Sequence, residues 1–238
     1  MLCSKNCLVV EVWEPYLENK IYMYDLLIDL DNTIYSESSK IFSQIDLKMK
    51  SFISAKLKVS KEEAYIIQKK YFTENGTTLR GLMLYHDVDP ESFLKYVHNI
   101  NLDSINKNFA LKEEMKKFKG RKIIFTNGTL EHSIRVLKKV GVLDEVNNIF
   151  DIKDANYIPK PDKITYKKVV NKFDLIPHNT IMIDDIKVNL VTAKKLGIRT
   201  VLVDSNHSKK ITKYVDYSFK ELASIIKKIN NKDIFNEN

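Results

Sequence analysis

Residues 24–33, Tyr24-Asp25-Leu26-Leu27-Ile28-Asp29-Leu30-Asp31-Asn32-Thr33, carry the reading that decides the fold. Leu26, Leu27 and Ile28 form an apolar run without alternation, the pattern of a strand buried on both faces. The run stops at Asp29, and a second acid, Asp31, follows two residues on. Neighbouring carboxylates repel and need a cation or a shared proton to be tolerated.

Downstream, similar runs recur at Lys122–Thr126 (KIIFT), Ile149–Ile152 (IFDI), Thr180–Asp184 (TIMID) and Thr200–Asp204 (TVLVD). Amphipathic stretches at 129–140, 162–173 and 187–196 lie between them. Strands alternating with helices at this spacing predict an α/β fold with a doubly wound parallel sheet. Such sheets bind ligands at the carboxyl ends of their strands, where Asp29, Thr126 and Asp184 fall.

No comparable run occurs between 36 and 118. Apolar residues at 41, 42, 45, 49, 52 and 53 follow helical spacing. Ser60 with Glu63 predicts a capping box, and Asp89-Pro90 a helix start with proline in the first turn. The chain is therefore read as an N-terminal extension (1–22), a core (23–35 and 119–238) and a helical cap (36–118) inserted after the first core strand. Tyr71, Phe72 and Tyr85 are expected in the cap interior, and a last helical pattern lies near 218–228.

Composition narrows the function classes. No stretch approaches the roughly 18 apolar residues that span a bilayer. The extension's apolar stretch, Cys7 to Trp13, is interrupted by Glu11, unlike the apolar run of a secretory signal, and residues 1–22 are read as preceding a natural start at Met23. The only cysteines, Cys3 and Cys7, both lie there, which fits a reducing cytoplasm and gives no disulfide framework. Net charge is +8, but only four of the 39 basic residues are arginine (Arg80, Arg121, Arg135, Arg199) and the other 35 are lysines spread along the chain. Nucleic-acid readout favours clustered charge and arginine, so neither nucleic acid nor membrane is expected as a partner. Attraction for small anions remains.

Four pieces carry the chemistry, and each alone also has an ordinary structural reading. Asp29-x-Asp31-x-Thr33 suits a hard cation such as Mg²⁺, or is a strand end with an Asx-type turn. Thr126-Asn127-Gly128 offers a hydroxyl and turn amides to phosphate oxygens, or is a plain strand-to-helix turn. Lys160-Pro161-Asp162 places a cation before a helix start. Asp184-Asp185, with Asn189 shortly after, puts paired acids at the end of a buried run, which is costly unless they bind something.

Taken in this order, the four pieces resemble the motifs of the haloacid dehalogenase superfamily over residues 24 to 205, and the helical insert falls where that superfamily places its cap. The resemblance implies that Asp29 is a phosphoryl-accepting nucleophile and Asp31 the general acid and base. It implies Mg²⁺ held by Asp29, the Asp31 carbonyl and Asp185, with Asp184 in the outer shell. Thr126, Asn127 and Lys160 would hold the phosphoryl group. Dehalogenase members lack an acid two residues after the nucleophile, so Asp31 favours phosphoryl transfer. Asp29–Tyr35 and Gly76–Leu82, followed by His86 and Phe93, are similar to pyrimidine 5′-nucleotidase-type phosphatases. That likeness implies UMP and CMP as substrates and Arg80 and His86 as nucleoside contacts; for Gly76–Leu82, a turn with a packing Leu–Gly–Leu face is the other reading. Phosphoglycolate, a sugar phosphate, and a non-catalytic binding module are the alternatives; a mutase would need a cap suited to a bisphosphate.

Overall fold

The computed structural model describes residues 24–205 and 212–235. The readings of residues 1–22, with Cys3 and Cys7, and of Met23 lie outside the described residues. The core is a parallel sheet of β1 (Asp25–Ile28), β2 (Lys122–Phe125), β3 (Asn148–Phe150), β4 (Thr180–Asp184), β5 (Arg199–Val203) and β6 (Tyr217–Phe219). Their order is β3-β2-β1-β4-β5-β6. The chain winds one way from β1 to β3 and the other way from β4 to β6, so the switch lies between β1 and β4. Register pairs Ile28 with both Ile124 and Ile183, which brings the ends of β1, β2 and β4 to one edge. Every residue of β2 and β4 is buried, as expected of strands covered on both faces.

Between β1 and β2 lie α1 (Ile41–Leu57), α2 (Lys61–Asn75), α3 (Thr78–His86), α4 (Pro90–Val97) and α5 (Phe109–Lys117). The predicted starts hold. Ser60 Oγ accepts from Glu63 N at 3.1 Å while Glu63 Oε2 accepts from Ser60 N at 2.9 Å. Asp89 Oδ2 caps α4 by accepting from Ser92 N at 2.8 Å. The first four helices pack on one another, whereas α5 packs on α9 (Leu222–Asn230), where Asn230 Nδ2 donates to Glu114 O at 2.9 Å. Gly81 makes the α2–α3 packing close: a Cβ there would sit 2.3 Å from Tyr71 Cγ. The Leu79–Gly81–Leu82 face is accordingly buried as a packing face. After β2 and β3 the core continues with α6 (Leu130–Val140) and α7 (Lys163–Lys172), and α8 (Lys187–Lys195) links β4 to β5.

Two expectations shift. The run at 149–152 is strand only to Phe150, because Asp151 turns the chain by accepting from Lys153 N and Asp154 N, both at 2.9 Å. The pattern near 218–228 splits into β6 and α9. Among the described residues, no helix is long and apolar enough to cross a membrane.

Candidate active site

Asp29 follows β1 directly, and its amide donates to Ile183 O at 2.9 Å, which ties the first turn of the site to β4. Lys160 reaches the same edge from the loop after β3. Asn127 fixes that loop: its Oδ1 accepts from Lys160 N at 2.8 Å and its Nδ2 donates to Lys160 O at 3.2 Å. The Lys160 side chain is 1% exposed, and Nζ donates to Asp29 Oδ1 (2.7 Å), Asp184 Oδ2 (2.8 Å) and Phe125 O (2.8 Å). All three ammonium protons are thus used, so the lysine is a fixed cation tethering two acids. Burial opposes its charge, but Asp184 and Asp29 outweigh burial and hold its pKa above the ordinary lysine value.

Asp184, fully buried, is saturated on its other side by Asn189 Nδ2 (3.1 and 3.0 Å) and by Ile186 N (2.8 Å). Carboxylate oxygens of Asp29, Asp184 and Asp185 come within 4.8 Å of one another. Burial pushes the Asp29 carboxyl well up; Lys160 pulls it down, and Asp184 and Asp185 push it up again. Thr126 Oγ1 accepts from Gly128 N at 2.9 Å and tightens the turn ahead of α6. The N-cap of α6 is Thr129, whose side chain accepts from His132 N at 3.2 Å.

Asp31 sits opposite. Its Oδ1 accepts from Tyr35 OH at 2.6 Å and from His132 Nε2 at 2.9 Å. Burial works against its ionisation, but the His132 charge and the hydrogen bonds from His132 and Tyr35 leave its carboxyl below the usual value. Burial, then the charge of Asp31, pushes the Tyr35 phenol up, so it stays a donor. His98 stacks on His132 with centroids 4.3 Å apart and rings 7° from parallel. Burial, followed by the His132 charge, lowers the His98 pKa to about 3.

A cavity of about 330 Å³ opens between these loops and α1, α2 and α4. Asp29, Asp31, Thr126, Asn127, Lys160 and Asp185 line its floor, and Phe42, Met49, Gln68, Lys69, Phe72 and Phe93 line its walls. The structure therefore brings the predicted core residues together. Phe72 was expected in the cap interior, but it is 45% exposed and faces this cavity; Tyr85 is likewise exposed at 58%, and Tyr71 is buried as expected. Arg80 lines a neighbouring cavity of about 610 Å³, beside Pro159, Pro161 and Gly76. His86 ends α3 with Nε2 2.6 Å from Tyr71 OH and lines neither cavity. Sequence reasoning missed Tyr35, His98 and His132. Tyr35 was visible as the residue four after Asp31, whereas His98 and His132 carry no local signal.

These motif geometries agree with a family match: the haloacid dehalogenase-like hydrolases match residues 26–197. The chain belongs to this family. Among curated proteins, this hydrolase is 24% identical over 237 residues to Phosphate metabolism protein 8 of Saccharomyces cerevisiae, covering 91% of this chain and 72% of that one. Among solved structures it is similar to the HAD phosphatase from Thermococcus onnurineus, with TM-score 0.59 and 20% identity over 89% of this chain and 98% of that one. It is also similar to the magnesium-bound HAD hydrolase YfnB of Bacillus subtilis, with TM-score 0.55 and 16% identity over 88% and 99%. The L-2-haloacid dehalogenase of Xanthobacter autotrophicus has TM-score 0.57 and 12% identity over 88% and 99%. At these identities the structural likeness shows a shared fold, and the chemistry has to be argued from the site.

Proposed function

We propose that this hydrolase is a Mg²⁺-dependent phosphomonoesterase that works through an aspartyl-phosphate on Asp29, with pyrimidine nucleoside 5′-monophosphates as its preferred substrates. The observation that carries the reading is Asp31, an acid lining the same cavity as Asp29 and so able to protonate a leaving oxygen. A halide leaves without a proton, so dehalogenation has no use for this group.

The donor set fits a hard divalent cation. The carboxylates of Asp29, Asp184 and Asp185 converge, with the Lys160 ammonium pairing the first two, and negative charge gathered in so buried a place favours a divalent cation. Asp29, Asp185 and the Asp31 carbonyl would hold Mg²⁺, with Asp184 behind them. When bound, the ion neutralises charge on the phosphoryl oxygens.

The protein residues do the rest. Asp29 attacks phosphorus while Asp31 gives its proton to the departing oxygen. Water then attacks the aspartyl-phosphate and returns a proton to Asp31. Thr126 and the turn amides around Asn127 orient the phosphoryl oxygens, and Lys160 holds the Asp29 carboxylate in line. Phosphate monoesters need enhancements approaching ~10²¹, and fixed charges in a dry site are the means available to supply them.

Helices α1 to α4 act as the cap on this reading. Phe42, Phe72 and Phe93 suit a stacked base, and Gln68 and Lys69 suit its polar edge. The proposal gives these residues the contacts the sequence suggested for Arg80 and His86. The test is phosphate release from UMP, CMP, AMP, GMP, phosphoglycolate, sugar phosphates and p-nitrophenyl phosphate, with and without Mg²⁺, beside Asp29→Asn. Metal-dependent release led by UMP and CMP and abolished in the variant is the expected result. Release led by another ester overturns the substrate, and substantial activity of Asp29→Asn overturns the covalent mechanism.

A further inference from the structure

Both hydrogen bonds to the Asp31 carboxylate land on Oδ1, and among the described residues Oδ2 accepts none. A carboxylate only accepts, so His132 carries a proton on Nε2. His132 is 1% exposed, and its Nδ1 has no partner. Burying an unmatched polar atom opposes folding, a cost that an apolar residue at this place in α6 would avoid. His132 is held at two further points, one on its backbone and one on its ring. Thr129 accepts from its backbone amide, and His98 lies flat against it with its own Nδ1 3.3 Å from Thr129 Oγ1. Arg135 Nη1 donates to His98 O at 2.8 Å and fixes that layer.

A carboxyl group free to turn about χ2 offers either oxygen. Two donors on one oxygen remove that freedom and aim the other. We propose that His132, together with Tyr35, is a positioning residue that clamps Asp31 by Oδ1, so that Oδ2 is the oxygen that exchanges the proton. This rests on the phosphatase reading above. In the first step the P–O bond to the leaving group breaks as the Asp29 O–P bond forms, and the proton on Oδ2 passes to the leaving oxygen. In the second, water adds to phosphorus, its proton goes to Oδ2, and the Asp29 carboxylate departs. Orientation of this kind is where proximity effects in proton transfer come from.

The leaving group separates a positioning role from a structural one. p-Nitrophenolate departs without a proton, whereas an alkoxide requires one. kcat/KM reports the steps through departure, so it should be compared for p-nitrophenyl phosphate and glycerol 2-phosphate in wild type, His132→Leu, His132→Gln and Tyr35→Phe. General acid catalysis contributes roughly 10²–10⁴-fold, so a misaimed acid should lose about 10- to 100-fold more on glycerol 2-phosphate than on p-nitrophenyl phosphate. Tyr35→Phe should show the same selectivity at smaller size, and His132→Gln, whose amide can still donate, should recover part of it. Equal losses on both esters, or no loss on either, in variants with native circular dichroism would overturn the proposal. Tyr35→Phe keeps the test open if His132→Leu does not fold. Absence of phosphate release by the wild type from these two esters and from UMP and CMP is a separate result, which removes the phosphatase reading and this one with it.

Discussion

Replacing Lys160 by methionine keeps the volume of the side chain and deletes its charge. The ammonium makes hydrogen bonds of 2.7 and 2.8 Å to Asp29 and Asp184, and its side chain is 1% exposed. Its loss leaves the buried carboxylates of Asp29 and Asp184 without the ammonium that pairs them, with Asp185 close by. Breaking a buried ion pair from one side costs about 3–5 kcal/mol, against total stabilities of about 5–15 kcal/mol, so Lys160→Met should fold but be much weakened. With a urea m-value of about 3 kcal/mol/M, the midpoint should fall by about 1–1.7 M at pH 7, read by circular dichroism without added metal. The pH dependence has a definite sign. Because the folded pKa of Lys160 is raised, its contribution is fully present below the ordinary lysine value and is lost only as pH rises through the folded one. Asp29, whose carboxyl is also raised, takes up a proton more readily in the folded state than in the unfolded one, and without Lys160 that difference grows. The gap between variant and wild type should therefore shrink as pH falls from 7 toward 5. A midpoint shift below about 0.3 M, or a gap that widens on acidification, would refute the argument that this lysine is held by charge.

Mg²⁺ should stabilise the wild type by about 2.7 kcal/mol at a hundred times its Kd, read as a higher urea midpoint, and EDTA should reverse it; Asp185→Asn should lose most of that gain. Half-buried His98 titrates near 3 in the folded protein and near 6.5 unfolded, so the unfolded chain binds the extra proton between those values. Wild type should thus lose up to about 1.4 kcal/mol per pH unit on acidification below 6.5, and His98→Phe, which keeps a ring beside His132, should flatten that slope in urea titrations. Gly81→Ala places a Cβ 2.3 Å from Tyr71 Cγ and should cost about 1–3 kcal/mol by overpacking, visible as a lower thermal midpoint. Phe72→Ala should raise KM for nucleotides more than for p-nitrophenyl phosphate, a difference that steady-state kinetics on both esters measures directly.

Much of this protein is legible along the chain because its core strands are covered on both faces. Leu26–Ile28, Ile123–Phe125 and Ile181–Ile183 are unbroken apolar runs, and a polar residue at the end of each marks the edge where ligands bind. Asp29, Thr126 and Asp184 follow from that pattern, whereas Lys160 lies well beyond the end of β3 and was marked only by the helix start after it and by the order of the four pieces. Helix starts work the same way: the Ser60–Glu63 capping box, and the Asp89 cap with Pro90 in the first turn, act over one turn. Tyr217–Phe219 escaped notice because an edge strand of three partly exposed residues has no apolar run to show. Local pattern stops at the cap. Phe72 and Tyr71 are sequence neighbours, yet a helix turns about 100° per residue, so one faces the cavity and the other the α2–α3 seam. Arg80 and His86 lie on α3, whose placement depends on Gly81 meeting Tyr71. The partnership of Asp31 with His132 joins residues 101 apart and depends on the parallel register of β1 and β2. Chemistry written at strand ends was therefore set by the sequence alone. The direction in which each side chain points, and so the substrate wall and the clamp on Asp31, was decided by packing between elements far apart in the chain.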